Sequence, residues 1–322
     1  MNKQNKALVI TELGKKALLQ ETAYPEINKD EVVIRTQYSG VSIGTEMWIA
    51  SGERSDYGPV PFVNGYQAAG EICEIGSEVE GFSIGDIVTV FCRGAHAQFT
   101  KAIQSRVHTV TNRASLMAAA LFVQPSTAAN ALNMACINTG DVVYIAGQGL
   151  IGQATAALAK LRGAYVITSD ISPQRLEISE KHCADWVINA AEEKSVSGII
   201  KSKFPNGVDV VIESTGFASL LDDALLCCKK FGRFVFEGWY PGAVNYNFTT
   251  PHKNQITAFY PCFIGEKPVR EGVIRLIESK KLDMQPLISD IVSWKDSEEI
   301  YNNLFTEKRN QYNGIVIDWT KK

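Results

Sequence analysis

Val142-Val-Tyr-Ile-Ala-Gly147-Gln-Gly149-Leu-Ile-Gly152 is the stretch on which the fold turns. Its first five residues are an unbroken apolar run, the pattern of a strand covered on both faces in a parallel sheet. After the glycines, Leu150, Ile151, Ala154, Ala157, Leu158 and Leu161 recur at helical spacing. Each glycine between strand and helix has a physical task. Gly147 permits the tight turn, Gly149 lets backbone approach a pyrophosphate, and Gly152 lets the helix pack close to the strand. Gln148, Leu150 and Ile151 complete the loop, and the positive helix start with its unpaired N–H groups faces the phosphates. The next strand, Tyr165-Val-Ile-Thr-Ser169, ends at Asp170, about 20 residues on, where a carboxylate accepts from ribose hydroxyls. A 2′-phosphate would meet that negative charge, so the reading favours NAD over NADP. Arg175 follows as a further cofactor contact.

Working outward, Trp186-Val-Ile-Asn189, Val208-Asp-Val-Val-Ile-Glu213, Arg233-Phe-Val-Phe236 and Ile256-Thr-Ala-Phe-Tyr260 continue the strand series, with a helix over about Pro173–His182. Repeated βα units predict a Rossmann-type, doubly wound parallel sheet. Ser214, Thr215 and Gly216, and then Gly238, follow strands at the carboxyl edge, where ligands bind in open α/β sheets. Before residue 120 the rhythm differs. Short apolar runs such as Glu31–Thr36, Ala69–Ile75 and Asp86–Phe91 alternate with glycine-marked turns, and Pro59 and Pro61 mark a loop, which predicts an all-β, barrel-like unit. The tail from about residue 267 carries one helix, Val269 to Lys280, and strand-like pieces Leu287–Val292 and Gly314–Asp318 that return to the first domain. The expected domains are 1–122 with 267–322, and 123–266.

Lysine and arginine number 32 against 35 acids, a formal charge of −3, and no basic stretch is long enough for a nucleic-acid footprint. No uncharged run has the length of a membrane span and the start lacks an apolar signal region, so the expectation is a cytoplasmic protein with no membrane partner. Seven scattered cysteines without a Cys-x-x-Cys fit neither a zinc ribbon nor a disulfide framework. His108, His182 and His252 have no partners at motif spacing and read as surface or loop residues.

Gly40-Val-Ser-Ile-Gly-Thr-Glu46, Pro61-Phe-Val-Asn-Gly-Tyr-Gln67 with Gly70-Glu71 and Gly76, Gly85-Asp86, Gln124-Pro125, the glycine motif with Asp170, and Glu213-Ser-Thr-Gly216 together resemble the medium-chain dehydrogenase/reductase superfamily over nearly the whole chain. The resemblance implies a GroES-like β-barrel catalytic domain, a Rossmann domain, an active-site cleft between them and a homodimer. Within the superfamily, Gly-Val-Ser-x-Gly-Thr-Glu looks most like the branch of bacteriochlorophyllide, glycoside and polyol dehydrogenases. Zinc-dependent members carry their catalytic ligands where this chain has Ile43, Tyr66 and Gln124, and the glutamate that follows the histidine is Gln67 here. The lobe for a structural zinc is missing, since Phe91-Cys-Arg-Gly-Ala95 runs directly into His96. No metal is therefore expected.

By resemblance, Thr45 occupies the position that relays the hydroxyl proton. Without a metal, another donor must steady the developing alkoxide. Tyr66, Gln124 and His96 are the candidates, with Glu46 as a hydrogen-bonding acid. Tyr66 and Gln124 equally fit a role as packing in the vacated zinc space, and His96 a purely structural one. Trp48, Tyr57 and Trp239 are candidates for an apolar substrate wall. The leading function is an NAD-linked dehydrogenase acting on a secondary hydroxyl of a sugar, polyol, cyclitol or similar small molecule. The alternatives are an NAD(P)H-dependent quinone or enoyl reductase, which Asp170 disfavours, and a dinucleotide-binding protein without turnover.

Overall fold

The computed structural model describes residues 4–54 and 57–321. Two compact units emerge, one built from the residues up to Val123 with those from Arg270 onward, the other from Gln124–Val269.

The first unit begins with β1 (Gln4–Ile10), β2 (Ala17–Ala23), β3 (Glu31–Val41), α1 (Ile43–Ser51), β4 (Phe62–Val63), β5 (Gln67–Ile75), β6 (Ile87–Phe91), β7 (Phe99–Ile103), β8 (Val107–Thr109) and α2 (Leu116–Ala119). Strand β3 is its spine: one edge takes β5, and the other takes β7 along Glu31–Arg35 and the chain's last strand along Tyr38–Val41. Alternate residues of these strands, among them Val32, Ile34, Ala68, Ile72, Val88 and Val90, close over a common core. That alternation is what a sheet with one covered face requires. Helix α1 departs from the all-β expectation. Gly44 and the absence of helical periodicity disguise it in the sequence, yet it buries Glu46, Met47, Ile49 and Ala50 and ends on Gly52 at φ +84°. A left-handed C-cap is natural only to glycine.

The second unit follows as α3 (Val123–Met134), β9 (Val142–Ala146), α4 (Leu150–Leu161), β10 (Tyr165–Asp170), α5 (Pro173–His182), β11 (Trp186–Asn189), α6 (Val196–Lys203), β12 (Val208–Glu213), α7 (Leu221–Cys227), β13 (Cys228–Phe236), α8 (Thr249–Asn254) and β14 (Thr257–Phe259). Its six strands run β11-β10-β9-β12-β13-β14, every neighbouring pair parallel. This is the doubly wound order with its reversal between β9 and β12. Strand β13 starts five residues before the apolar run that announced it, because Cys228 pairs with Val208 ahead of a register shift.

The chain then returns to the first unit through α9 (Lys267–Glu278), β15 (Ile288–Ser293), α10 (Ser297–Asn303) and β16 (Gly314–Asp318). Strand β16 pairs antiparallel with β3, from Ile315 opposite Val41 to Asp318 opposite Tyr38. Tyr301, Leu304, Ile315, Ile317 and Trp319 share one buried core with Leu8, Ile10, Val41 and Met47. Among the described residues no helix is long and apolar enough to cross a membrane. His108 corrects its surface reading: it sits on β8 at 1% exposure, edge-on to Phe122 with ring centres 5.7 Å apart. His182 and His252 are exposed as expected.

Candidate functional site

In the second unit the glycine turn has the shape its sequence implies. Gly147, at φ +91°, donates its N–H to Ser169 O at 2.8 Å, so the end of β9 is tied to β10. A Cβ on Gly152 would lie 2.0 Å from Gly147 O, a backbone clash that fixes the helix-to-strand distance. A Cβ on Gly149 would meet nothing within 4 Å. Gly149 is also the N-cap of α4 and supplies no side-chain cap, whereas α5 and α6 are capped by the hydroxyls of Ser172 and Ser195. Helix α4 thus presents leading N–H groups toward space a side chain would otherwise fill, the cradle an anionic pyrophosphate needs.

Asp170 is held beside this cradle at 9% exposure. Its Oδ2 accepts the Gln148 N–H at 2.6 Å and its Oδ1 the Ser172 N–H at 2.8 Å. The buried Gln148 side chain spans Gly147 O and the Ser179 hydroxyl. Leu150 is buried, Ile151 half-buried, and Arg175 stands half-buried on α5. Gly147 also abuts the turn after β12: its Cβ would lie 2.8 Å from Thr215 Cγ2. Gly216 and Gly238 approach as closely, a Cβ on Gly238 falling 2.5 Å from Gly216 N. The structure therefore gathers the glycine loop and Ser214-Thr215-Gly216 at the reversal of strand order, with Asp170 and Gly238 on its two sides.

The two glycines separate packing from ligand contact. Gly152→Ala is expected to destabilise the cofactor-free chain by about 1–3 kcal/mol, since helix and strand must part. Gly149→Ala, facing open space, is expected to leave stability within about 0.5 kcal/mol while weakening dinucleotide binding. Thermal unfolding and an NADH fluorescence titration on both variants measure the contrast.

Two carboxylates flank the same edge. Glu213, fully buried, accepts from the Thr215 and Gly216 N–H groups at 2.8 and 3.1 Å and from the hydroxyls of Thr215 and Tyr240. Glu237 receives only hydroxyls: Thr155 of α4, at 2.9 Å to Oε1, and Ser214. Burial pushes the Glu237 carboxyl up to about 7, with the Glu213 charge adding to it and the bonds from Ser214 and Thr155 opposing. Sequence reasoning missed Glu237, although an acid after the apolar run Arg233–Phe236 was a visible signal.

In the first unit, α1 and the loop before β5 bring Thr45, Glu46 and Tyr66 together. Thr45 and Tyr66 are half-buried, and Tyr66 makes side-chain hydrogen bonds with Ser42 and Thr45. Burial raises the Tyr66 phenol to about 12, against those bonds and with the Glu46 charge reinforcing it. The phenol therefore stays protonated at neutral pH and can donate. Behind this pair lies a sealed network. His96 and Glu46 are both at 0% exposure, with Nε2 2.8 Å from Glu46 Oε2. Glu46 also accepts the Tyr301 hydroxyl at 2.9 Å and the Ser42 N–H at 2.8 Å. Tyr301 in turn accepts from Asn64. Trp319 donates to Ser39 Oγ at 2.9 Å, and the Ser39 proton is then directed to His96 Nδ1, also 2.9 Å away. One proton order satisfies every member, as a buried network requires. Both His96 nitrogens are thus engaged within the fold, so His96 and Glu46 orient the helix that carries Thr45.

Gln67 is fully buried and accepts the Val123 N–H at 3.1 Å. Gln124, 5% exposed, opens the second unit. Tyr57 donates to Gly65 O at 2.7 Å and lies under the Arg93 guanidinium, while Trp48 and Trp239 are half-buried. Ile43, Tyr66 and Gln124 offer an alkyl chain, a protonated phenol and a neutral amide. Among the described residues no group of three or more His, Cys, Asp or Glu side chains is placed to hold a metal ion.

Comparison with known proteins matches residues 28–125 to the alcohol dehydrogenase GroES-like domain and residues 151–279 to the zinc-binding dehydrogenase family. The chain is 26% identical to the sorbitol dehydrogenase of Bacillus subtilis, across 91% of this chain and 88% of that protein. It is 28% identical to the L-threonine 3-dehydrogenase of Pyrococcus horikoshii, across 90% and 92%. Its fold superposes on the benzyl alcohol dehydrogenase of Acinetobacter calcoaceticus with a TM-score of 0.90 at 18% identity, covering 98% of this chain and 99% of that one.

Proposed function

We propose that this chain, matched to the GroES-like alcohol dehydrogenase domain over residues 28–125 and to the zinc-binding dehydrogenase family over residues 151–279, transfers hydride between NAD and a secondary alcohol or ketone of the sugar, polyol or cyclitol class, without a catalytic zinc ion. The observation that carries the reading is the open, uncapped start of α4 at Gly149 with the Asp170 carboxylate beside it. Phosphates fit the first and a 2′-hydroxyl the second.

Zinc is bound by thiolate, imidazole or carboxylate. Ile43, Tyr66 and Gln124 supply none of these, so the donor set does not fit the ion. NAD, when bound, supplies the hydride acceptor. The chain's own residues do the rest. The protonated Tyr66 phenol donates a hydrogen bond to the substrate oxygen, while half-buried Thr45, hydrogen-bonded to Tyr66, takes up the substrate hydroxyl proton as it releases its own to solvent. Glu46 and His96 hold α1 in place for this. Gln124 is a further amide donor in the same reading. Residues 1–122 with 267–322 serve as the catalytic domain and 123–266 as the cofactor domain, in a cytoplasmic homodimer.

The experiment is a titration of metal-stripped protein with NADH and NADPH, then a substrate screen without added zinc. Tighter NADH binding and turnover of a polyol or sugar after chelation support the reading. A preference for NADPH overturns the role of Asp170, activity restored only by zinc overturns the metal-free chemistry, and binding without turnover leaves a dinucleotide-binding protein. Asp170→Asn, which removes the charge at constant shape, is expected to weaken NADH and relieve the exclusion of NADPH. Losing a hydrogen bond to a charged group costs about 1.5–3 kcal/mol, so the NADH-to-NADPH affinity ratio falls by roughly tenfold or more.

A further inference from the structure

The strand order reverses between β9 and β12, and a dinucleotide crossing that point lays one mononucleotide half on each side. Asp170 ends β10 and marks the adenosine side. The nicotinamide half is left to the carboxyl ends of β12 and β13, and those ends carry Glu213 and Glu237. The two differ in what holds them. Glu213 has four donors, two of them backbone N–H groups. Glu237 has two hydroxyls, Thr155 from α4 and Ser214 from the turn after β12. The charge facing it is that of Glu213, to which the Tyr240 phenol is bonded, and among the described residues no cation acts on it. Glu237 is anchored to β12 through its own backbone, its N–H donating to Glu213 O at 2.9 Å, and so cannot swing away from the sheet edge.

We propose that Glu237 makes the dinucleotide site discriminate between the redox states of the cofactor, its carboxylate favouring the cationic nicotinamide ring of NAD⁺ over the neutral ring of NADH. The inference rests on the dinucleotide reading above and deepens it. Balanced by atoms, NAD⁺ binding converts the Glu237 carboxylic acid to carboxylate and releases one proton to solvent. NADH binding leaves that proton in place. Since the free carboxyl titrates at about 7, the exchange falls in the physiological range.

An opposite charge brought close to a carboxyl lowers its pKa by roughly 1–3 units, tenfold in affinity per unit. The test is calorimetric titration of the intact chain with NAD⁺ and with NADH at about pH 6 and about pH 8.5, in two buffers of different ionisation enthalpy so that protons are counted. The expected result is NAD⁺ binding roughly tenfold tighter at the higher pH, with proton release below neutrality, and NADH binding that changes by less than about twofold. In Glu237→Gln, NAD⁺ loses its pH slope and the proton release disappears. A flat NAD⁺ affinity in the natural chain, or a slope that survives Glu237→Gln, overturns the proposal. The natural-chain series stands without the variant, so a poorly folded substitution does not shelter it. If both dinucleotides bind without a slope, this inference alone falls. If neither binds, the cofactor reading falls first and takes it along.

Discussion

Glu46→Leu lowers the unfolding free energy of the chain by about 3–5 kcal/mol, since each buried donor left without its acceptor costs about 1–3 kcal/mol. Three donors lose their acceptor at once: His96 Nε2, the Tyr301 hydroxyl and the Ser42 N–H. Neither side chain can turn to water, because His96 and Tyr301 are both at 0% exposure. Equilibrium denaturation in urea measures the loss. Glu46→Leu combined with His96→Leu is expected to cost less than the sum of the two single substitutions, since the second change removes a group the first had orphaned. Additive costs would show that the two side chains do not depend on each other. Activity should fall along with stability, because α1 carries Thr45.

Glu237→Gln has the opposite sign, and its effect depends on pH. The carboxyl titrates at about 7 in the folded chain against 4.5 for an ordinary glutamate. The folded state thus retains a proton that the unfolded chain gives up. Its contribution to stability is fully present below pH 4.5 and is lost as pH rises through about 7. The amide of Gln keeps the shape and never ionises. At about pH 8 the cofactor-free variant is expected to be more stable than the natural chain by about 3 kcal/mol, and at about pH 4.5 the two should coincide. Denaturation midpoints at the two pH values decide it. A difference that does not change with pH would mean that packing, and not ionisation, sets the effect.

Parts of this architecture were written plainly in the chain. Helix α5 spans Pro173–His182 as expected because Ser172 caps it and Pro173 stands at its first turn, a start signal that local physics alone enforces. The unbroken apolar run of β9 announced a parallel sheet because a strand covered on both faces cannot alternate. Helix α1 was hidden because a glycine interrupts it and its buried face includes an acid, Glu46. The network around that acid was illegible for another reason. Its members lie up to 280 residues apart, Ser39 with Trp319, and no local spacing ties Glu46 to Tyr301. Thr45 and Tyr66 could be chosen by resemblance. That His96 serves as a strut for them is a fact of packing, which only three dimensions supply.

The return of β16 to β3 has a consequence for how the molecule comes into being. Translation delivers the second unit as one uninterrupted stretch, Gln124–Val269, which can complete its sheet soon after it emerges. The first unit has no such freedom. Its spine, β3, must wait with the Tyr38–Val41 part of one edge unpaired until Gly314–Asp318 has been synthesised. Tyr301 and Trp319, which close the network around Glu46 and Ser39, arrive equally late. At about 5–20 residues per second the ribosome needs on the order of 14–55 s to cover that distance. For that interval the nascent barrel exposes an apolar strand edge, and chaperone contact with the newborn chain should concentrate there.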